Sequence, residues 1–204
     1  WDSDVIELSD GPHNIAYFGR PKKTGDIRIC FDFRILNALT RRILYDMPRI
    51  DDLCAKFKGK QYITSLDMKG GYWHIPIKKE HRHRTSFLFD GQMYQWKRLP
   101  FGLKNACMFF QRVMDQLFEQ FVSEGFVVVY IDDISIISDT AAEHLVHLER
   151  VLELIARKGI KIRIDKCMFA TKRTAYLGFM IDADGITATE KYKDKVLNVP
   201  VPRN

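Results

Sequence analysis

Cysteine is scarce in this chain of 204 residues, and its four copies, Cys30, Cys54, Cys107 and Cys167, stand far apart with no C-x-x-C pair among them. That spacing offers neither a zinc ligand set nor a disulfide framework. It fits a reducing compartment, with the thiols serving as small buried hydrophobes. No run approaches the roughly 18 consecutive apolar residues of a membrane-spanning helix, so a membrane partner is not expected. Internal repeats, low-complexity tracts and Ser/Gly linkers are also missing. The N-terminus opens on Trp1 and is acidic, with Asp2, Asp4, Glu7 and Asp10. Such a start suits neither a signal peptide nor a transit sequence and reads as a cut from something longer.

What is present is ordinary globular material, 46% hydrophobic and 28% charged, enough for a core in one domain or two closely packed ones. Net charge is +6 and pI about 9.1. The excess is concentrated: between Arg20 and Lys60 eleven Lys or Arg accompany five Asp or Glu, interleaved with Phe33, Tyr45 and Phe57. A polyanionic partner and a solvated charged face both fit that distribution.

The hydrophobic period switches repeatedly along the chain, which predicts a mixed α+β fold. Residues 27–33 alternate like a strand and residues 61–66 are β-rich. Residues 84–89 and 92–96 flank Asp90-Gly91 as a hairpin. Residues 105–124 repeat apolar positions at helical spacing (Phe109 or Phe110, Val113, Leu117, Phe121) and stop at Gly125. Apolar strands at 126–131 and 134–137 then meet at a turn made of Asp132-Asp133. Thr140 with Glu143 forms a capping box for a helix whose Leu145, Leu148, Leu152 and Ile155 face the core until Gly159. Strands are expected again at 160–164, 176–181 and 186–187, the last two separated by Asp184-Gly185.

Tyr130-Ile131-Asp132-Asp133 carries the chemistry, because backbone economy alone would favour Asn-Gly or Asp-Gly at such a turn. Two adjacent acids repel beside a hydrophobic core unless a cation offsets them, and Mg²⁺ is the hard cation that carboxylate oxygens suit. The plainer reading is an exposed acidic turn. Asp67 adds a third acid at the end of a strand-like run and just before Gly70-Gly71-Tyr72. Such a trio suits nucleotidyl transfer, in which two divalent ions roughly 3.5 to 4 Å apart stabilise the attacking and leaving oxygens. His144 with His147, and His81 with His83, lack a cysteine or acid to complete a zinc set and read as surface histidines.

The order of the motifs resembles the reverse transcriptase of gypsy-type LTR retrotransposons over nearly the whole chain. Arg28-Ile29-Cys30-Phe31-Asp32-Phe33-Arg34 with Leu36-Asn37 resembles the fingers block, and Met47-Pro48-Arg49-Ile50-Asp51 the segment after it. Ser65-Leu66-Asp67-Met68-Lys69-Gly70-Gly71-Tyr72 resembles the first catalytic motif. Leu99-Pro100-Phe101-Gly102-Leu103-Lys104-Asn105-Ala106 with Phe110-Gln111, the Y-x-D-D run, and Leu177-Gly178-Phe179 complete the sequence of blocks. Residues 13–20 are the poorest match. Cys107-Met108 stands where a Pro-containing turn is common, and residues 198–202 lack the aromatic that usually precedes their prolines.

The resemblance implies a right-hand polymerase fingers and palm, with an antiparallel palm sheet backed by helices. Residues 1–60 and 81–104 would be fingers, 61–80 and 105–190 palm, and 191–204 the start of a thumb. Asp67, Asp132 and Asp133 become catalytic metal ligands for two Mg²⁺ ions (Mn²⁺ as a substitute), joined by the main-chain oxygen of Met68. Arg28 and Lys22 or Lys23 match triphosphate-binding positions, Tyr72 the steric gate against a ribose 2′-hydroxyl, and Phe101 a nucleotide contact. Tyr130, Ile131, Leu177, Gly178 and Phe179 match positions at the primer.

The implied activity is RNA-directed DNA synthesis with an RNA or DNA template, a primer and dNTPs. Further Pol domains (thumb, RNase H, integrase) and a cytoplasmic virus-like particle follow from the same resemblance. Two alternatives stand beside it. An RNA-dependent RNA polymerase would carry a small or polar gate and commonly Gly-Asp-Asp. A domesticated, catalytically silent domain would be expected to have lost one of its acids.

Overall fold

The computed structural model describes residues 4–21, 25, 27–182 and 185–199. In chain order the elements are β1 (Ile6–Leu8), β2 (Tyr17–Pro21), β3 (Ile27–Phe31), α1 (Arg34–Leu39), α2 (Ile50–Ala55), β4 (Tyr62–Asp67), α3 (Lys79–Arg82), β5 (Phe87–Phe89), β6 (Gln92–Trp96), α4 (Ala106–Ser123), β7 (Val127–Tyr130), β8 (Asp133–Ser138), α5 (Ala141–Arg157), β9 (Met168–Thr171), β10 (Arg173–Tyr176), β11 (Phe179–Asp182), β12 (Gly185–Ala188) and α6 (Glu190–Leu197). The chain divides into two compact units, Trp1–Asp46 with Gly70–Val113, and Met47–Lys69 with Met114–Asn204.

The first unit holds an antiparallel sheet in the order β1-β6-β5 and a β2-β3 ribbon. Asp90 (φ 47°) and Gly91 (φ 73°) both adopt left-handed backbone, as a type I′ turn requires, so the Asp-Gly signal formed the hairpin expected of it. Its core gathers Val5, Phe33, Phe87 and Trp96, with Phe31 edge-on to Phe87 and Trp96 at centroid distances of 4.7 and 5.1 Å. The strand expected over 84–89 begins only at Phe87. Thr85 Oγ1 instead donates to the Arg82 carbonyl and accepts the Trp96 N–H, closing a 3-10 turn at His83–Thr85 in place of a ladder.

The second unit is built on an antiparallel sheet in the order β7-β8-β4-β9. Alternation splits its side chains between two faces. Ile63, Val128 and Ile137 pack on one face against Leu53 and Cys54 of α2, Phe57, and Tyr176 and Ile181 of the β10-β11-β12 sheet. Thr64 and Ser138 point to the other face, toward α5.

That helix starts with the expected capping box, Thr140 Oγ1 accepting from the Glu143 N–H and Glu143 answering at the Thr140 N–H. Its buried face differs from the expected leucine stripe: His144, Val151, Leu154 and Ile155 are buried, whereas Leu145 is 69% exposed. The surface reading of His144 is therefore corrected. Only 2% of it is exposed, with Nε2 2.7 Å from Thr64 Oγ1 and Nδ1 2.9 Å from Ser138 Oγ. A ring bonded at both nitrogens loses little by leaving water, which is why it displaces a leucine from the core face. His147, half-buried, stacks on Phe126 at 4.0 Å.

Burial, and then the neighbouring His147, hold the His144 pKa below its ordinary 6.5. Its contribution is present above that value and is lost as pH falls toward the folded pKa, because the unfolded ring takes up the proton first. His144→Ala is expected to destabilise the chain by about 2 kcal/mol at neutral pH, through lost packing and weakened satisfaction of two buried hydroxyls, and by less in acid. Thermal melts of parent and variant across pH check both parts.

Other expectations shift for local reasons. The buried stripe of α4 is Phe110, Met114, Phe118 and Phe121; Phe110 is one of the two residues read from the spacing, while Met114 and Phe118 each come one residue later than the Val113 and Leu117 it gave. In residues 160–164 only Ile162 pairs, with Met68, and the chain then tightens into a 3-10 turn at Ile164–Lys166, because β9 takes that edge of β4. The single strand expected over 176–181 is a hairpin bend, with Leu177 (φ 50°) and Gly178 (φ 93°) between β10 and β11. Of the cysteines only Cys54 is buried; Cys30 and Cys167 are intermediate and Cys107 is exposed. Asp184 of the next turn lies outside the described residues.

Candidate active site

The sheet of the second unit sets the acids. Strand β4 ends at Asp67 and β8 begins at Asp133, and these two are direct ladder partners. Directly opposite residues of an antiparallel pair project to one face, so the two carboxylates are neighbours. The β7-β8 turn consists of Ile131 and Asp132, with Tyr130 pairing Asp133, so the turn expected of both acids holds only the first of them. Ile131 sits at φ 55°, a left-handed backbone that costs a β-branched residue about 1 to 2 kcal/mol.

Asp67 Oδ1 accepts from Arg163 Nε at 2.7 Å, with a second guanidinium nitrogen at 2.5 Å. The Arg163 N–H also bonds the Asp67 carbonyl, tying the loop after α5 to the end of β4. Met68 is buried and bridged to Ile162. As the side chains stand, no three acid, imidazole or thiol groups among the described residues converge closely enough to hold an ion. Asp67 is occupied by Arg163 instead.

The Asp133 carboxyl is pushed up to about 6, first by burial, then by Asp132 and then by Asp67. An acid whose folded pKa exceeds its unfolded value of 3.8 binds protons better when folded. Stability therefore declines as pH rises through about 4 to about 6 and stays lowered above. The full shift corresponds to about 3 kcal/mol, which solvent screening at this open strand end reduces to about 1 kcal/mol. Metal-free Asp133→Asn is accordingly expected to be more stable than the parent by about 1 kcal/mol near pH 8, with the gain gone near pH 4. Denaturant titrations in chelator at both pH values measure it.

On the same face Tyr130, Leu177 and Phe179 pack against the cluster of Leu53, Phe57, Val128 and Tyr176. The Leu177-Gly178 bend is pinned by Thr189, whose N–H and Oγ1 both donate to the Gly178 carbonyl at 3.1 and 2.9 Å. The structure thus gathers Asp67, Met68, Tyr130, Ile131, Asp132, Asp133 and the residues 177–179 within one unit.

Tyr72, Phe101 and Arg28 belong to the first unit. Tyr72 is 7% exposed, its ring 4.9 Å from Phe101 and 5.1 Å from Phe110, and its hydroxyl 2.8 Å from Cys107 Sγ. Phe101 leaves 57% of its surface open. Arg28 lies on β3 opposite Arg20 with its surface exposed. Lys22 and Lys23 lie outside the described residues. Two partners are not evident from sequence, Arg163 and Cys107; Arg163 alternates with isoleucines and Lys161 over 160–164, which marks a strand-like face but not a partner for Asp67.

The sequence model of the family described as reverse transcriptase (RNA-dependent DNA polymerase) matches residues 20–181. The chain belongs to the reverse transcriptase family. It is 31% identical over 203 residues to the Retrovirus-related Pol polyprotein from transposon 297 of Drosophila melanogaster, covering 97% of this chain and 19% of that protein. To the corresponding polyprotein from transposon gypsy of the same organism it is 33% identical over 185 residues, covering 91% and 17%. This reverse transcriptase chain thus spans about a fifth of the curated relatives it matches. Among solved structures, the foamy viral protease-reverse transcriptase in complex with double-stranded DNA superposes with a TM-score of 0.88 at 27% identity, covering 98% of this chain and 35% of that one. The same viral protein in complex with RNA/DNA hybrid gives 0.85. The α+β class, with an antiparallel sheet backed by helices, is the polymerase fingers/palm fold read from the motifs.

Proposed function

We propose that this reverse transcriptase chain performs RNA-directed DNA synthesis, adding dNTPs to a primer 3′-hydroxyl on an RNA or DNA template. The observation that supports it is the ladder pair Asp67–Asp133 with Asp132 in the adjoining turn. Residues 1–60 and 81–104 act as fingers and residues 61–80 and 105–190 as palm.

Reverse transcriptases use a divalent metal. The donor set fits one: carboxylate and main-chain oxygens suit a hard cation, and nearby positive charge would offset the burial, and the repulsion from Asp132 and Asp67, that raise the Asp133 carboxyl. Asp67, Asp132 and Asp133, with the Met68 carbonyl, are the groups that would hold Mg²⁺ or Mn²⁺. When bound, two such ions neutralise charge on the attacking and departing oxygens.

The chain's own side chains position the rest. Arg163 orients the Asp67 carboxylate. Ile131 and Tyr130 meet the primer end, and Leu177, Gly178 and Phe179 grip the primer strand. Arg28, with Lys22 or Lys23, binds the triphosphate through charge-assisted hydrogen bonds. Tyr72 presses on the sugar, backed by Phe101, and so excludes a 2′-hydroxyl. Primer extension on an RNA template with dNTPs against NTPs tests the reading: dNTP-dependent synthesis supports it, and preferential use of NTPs rejects it.

A further inference from the structure

In the first unit the end of α1 with the loop after it, residues 37–43, and the loop 102–105 are stitched together by side chains that the proposed chemistry leaves unused. Asn37 Nδ2 donates to the Gly102 carbonyl at 2.8 Å and its Oδ1 accepts the Lys104 N–H at 2.7 Å. Asn105 mirrors this, donating to the Arg41 carbonyl at 2.9 Å and accepting the Ile43 N–H at 3.2 Å. The Lys104 ammonium closes the gap between them, donating to the carbonyls of Asn37 at 3.2 Å and Thr40 at 2.9 Å. Each amide thereby serves main-chain donors and acceptors that no helix or strand would satisfy.

The loop so held carries Phe101 immediately before Gly102. Gly102 takes φ 97°, and an added Cβ would stand 3.4 Å from Phe33, so its backbone lies close on the core below. Phe101, more than half exposed, gains little fixation from burial, yet its ring lies against Tyr72, 4.9 Å away against 5.1 Å for the buried Phe110. Polar bonds from Asn37 and Asn105 are therefore what fixes its position.

We propose that Asn37 and Asn105 are positioning residues for nucleotide selection: they hold the 102–105 loop so that Phe101 keeps the Tyr72 ring in place. The inference rests on the polymerase reading above. Both Asn37 bonds and the Asn105 bond to Arg41 are exposed, and only the Ile43 N–H is part-buried, so losing either amide releases the loop at little cost in orphaned polar groups. Small misplacements of a positioning group cost selectivity steeply.

The test is steady-state primer extension with dNTPs and NTPs on the parent, Asn37→Ala, Asn105→Ala and Asn37→Asp, with melts alongside. Asn37→Asp keeps the acceptor for the Lys104 N–H but loses the donor to Gly102. For the alanine variants the expected result is a rise in dNTP KM of about 10-fold, kcat within about 3-fold, and a dNTP-over-NTP preference reduced about 10-fold, with Asn37→Asp intermediate. A merely structural role would lower the amount of active protein and leave KM and sugar preference alone. Folded variants that discriminate sugars as the parent does overturn the inference while the polymerase reading stands. A folded parent that extends no primer overturns both.

Discussion

Replacing Asp132 by Asn is expected to lower nucleotide incorporation at least about 10³-fold while the fold is kept, since a charge aimed at the reacting centre is lost without a change in shape. Among the three acids Asp132 gives the cleanest experiment. It is the second residue of a two-residue turn, a position Asn fills as readily as Asp, and its surface is exposed. Asp67→Asn would also break the ion pair with Arg163. Asp133→Asn would change stability in its own right, because its carboxyl is held near 6. Single-nucleotide incorporation, with circular dichroism melts of the same preparations, makes the comparison. A variant that retains its fold and more than about a tenth of parental activity would remove Asp132 from the chemistry.

Tyr72→Val carries the second large effect, a fall of about 100-fold in preference for dNTPs over NTPs with dNTP use within about 10-fold of the parent. The ring is almost wholly enclosed, with Phe101 and Phe110 on it and Cys107 at its hydroxyl, so its removal opens space that, with Tyr72 as the proposed gate, a 2′-hydroxyl would enter. Some stability will be lost with the aromatic contacts. Tyr72→Phe separates the two consequences, since it keeps the ring and discards only the bond to Cys107. Sugar preference should survive in the Phe variant and collapse in the Val variant, measured by competing dNTP and NTP in one reaction. Equal preference in all three proteins would refute the gate.

Much of this was legible before any coordinates. Asp90-Gly91 and the pair Thr140/Glu143 work through neighbours in sequence, so local chemistry alone fixes the hairpin and the helix start. Asp132 and Asp133 sit together in sequence and Asp67 ends a strand, but the register that sets Asp67 opposite Asp133 depends on β4 meeting β8 far along the chain. The face of α5 was misread for an instructive reason. Apolar spacing selected Leu145, whereas His144 is buried because Thr64, eighty positions away, and Ser138 satisfy its ring. The grip of Arg163 on Asp67, ninety-six positions apart, and the bend at Leu177-Gly178 are likewise decided by partners a linear reading cannot weigh.

The division of the chain into interleaved segments has a consequence for its birth on the ribosome. The first unit is complete in sequence by Val113, whereas β4, emerging with residues 62–67, finds β8 only after some seventy further residues have been made. Until then a strand bearing Ile63 and Leu66 has both edges unsatisfied, the state in which nascent β structure is most prone to pair with the wrong neighbour. Pausing of translation between residues 70 and 130 should therefore harm the yield of native protein more than pausing after Ser138, where the central ladder is already available to close.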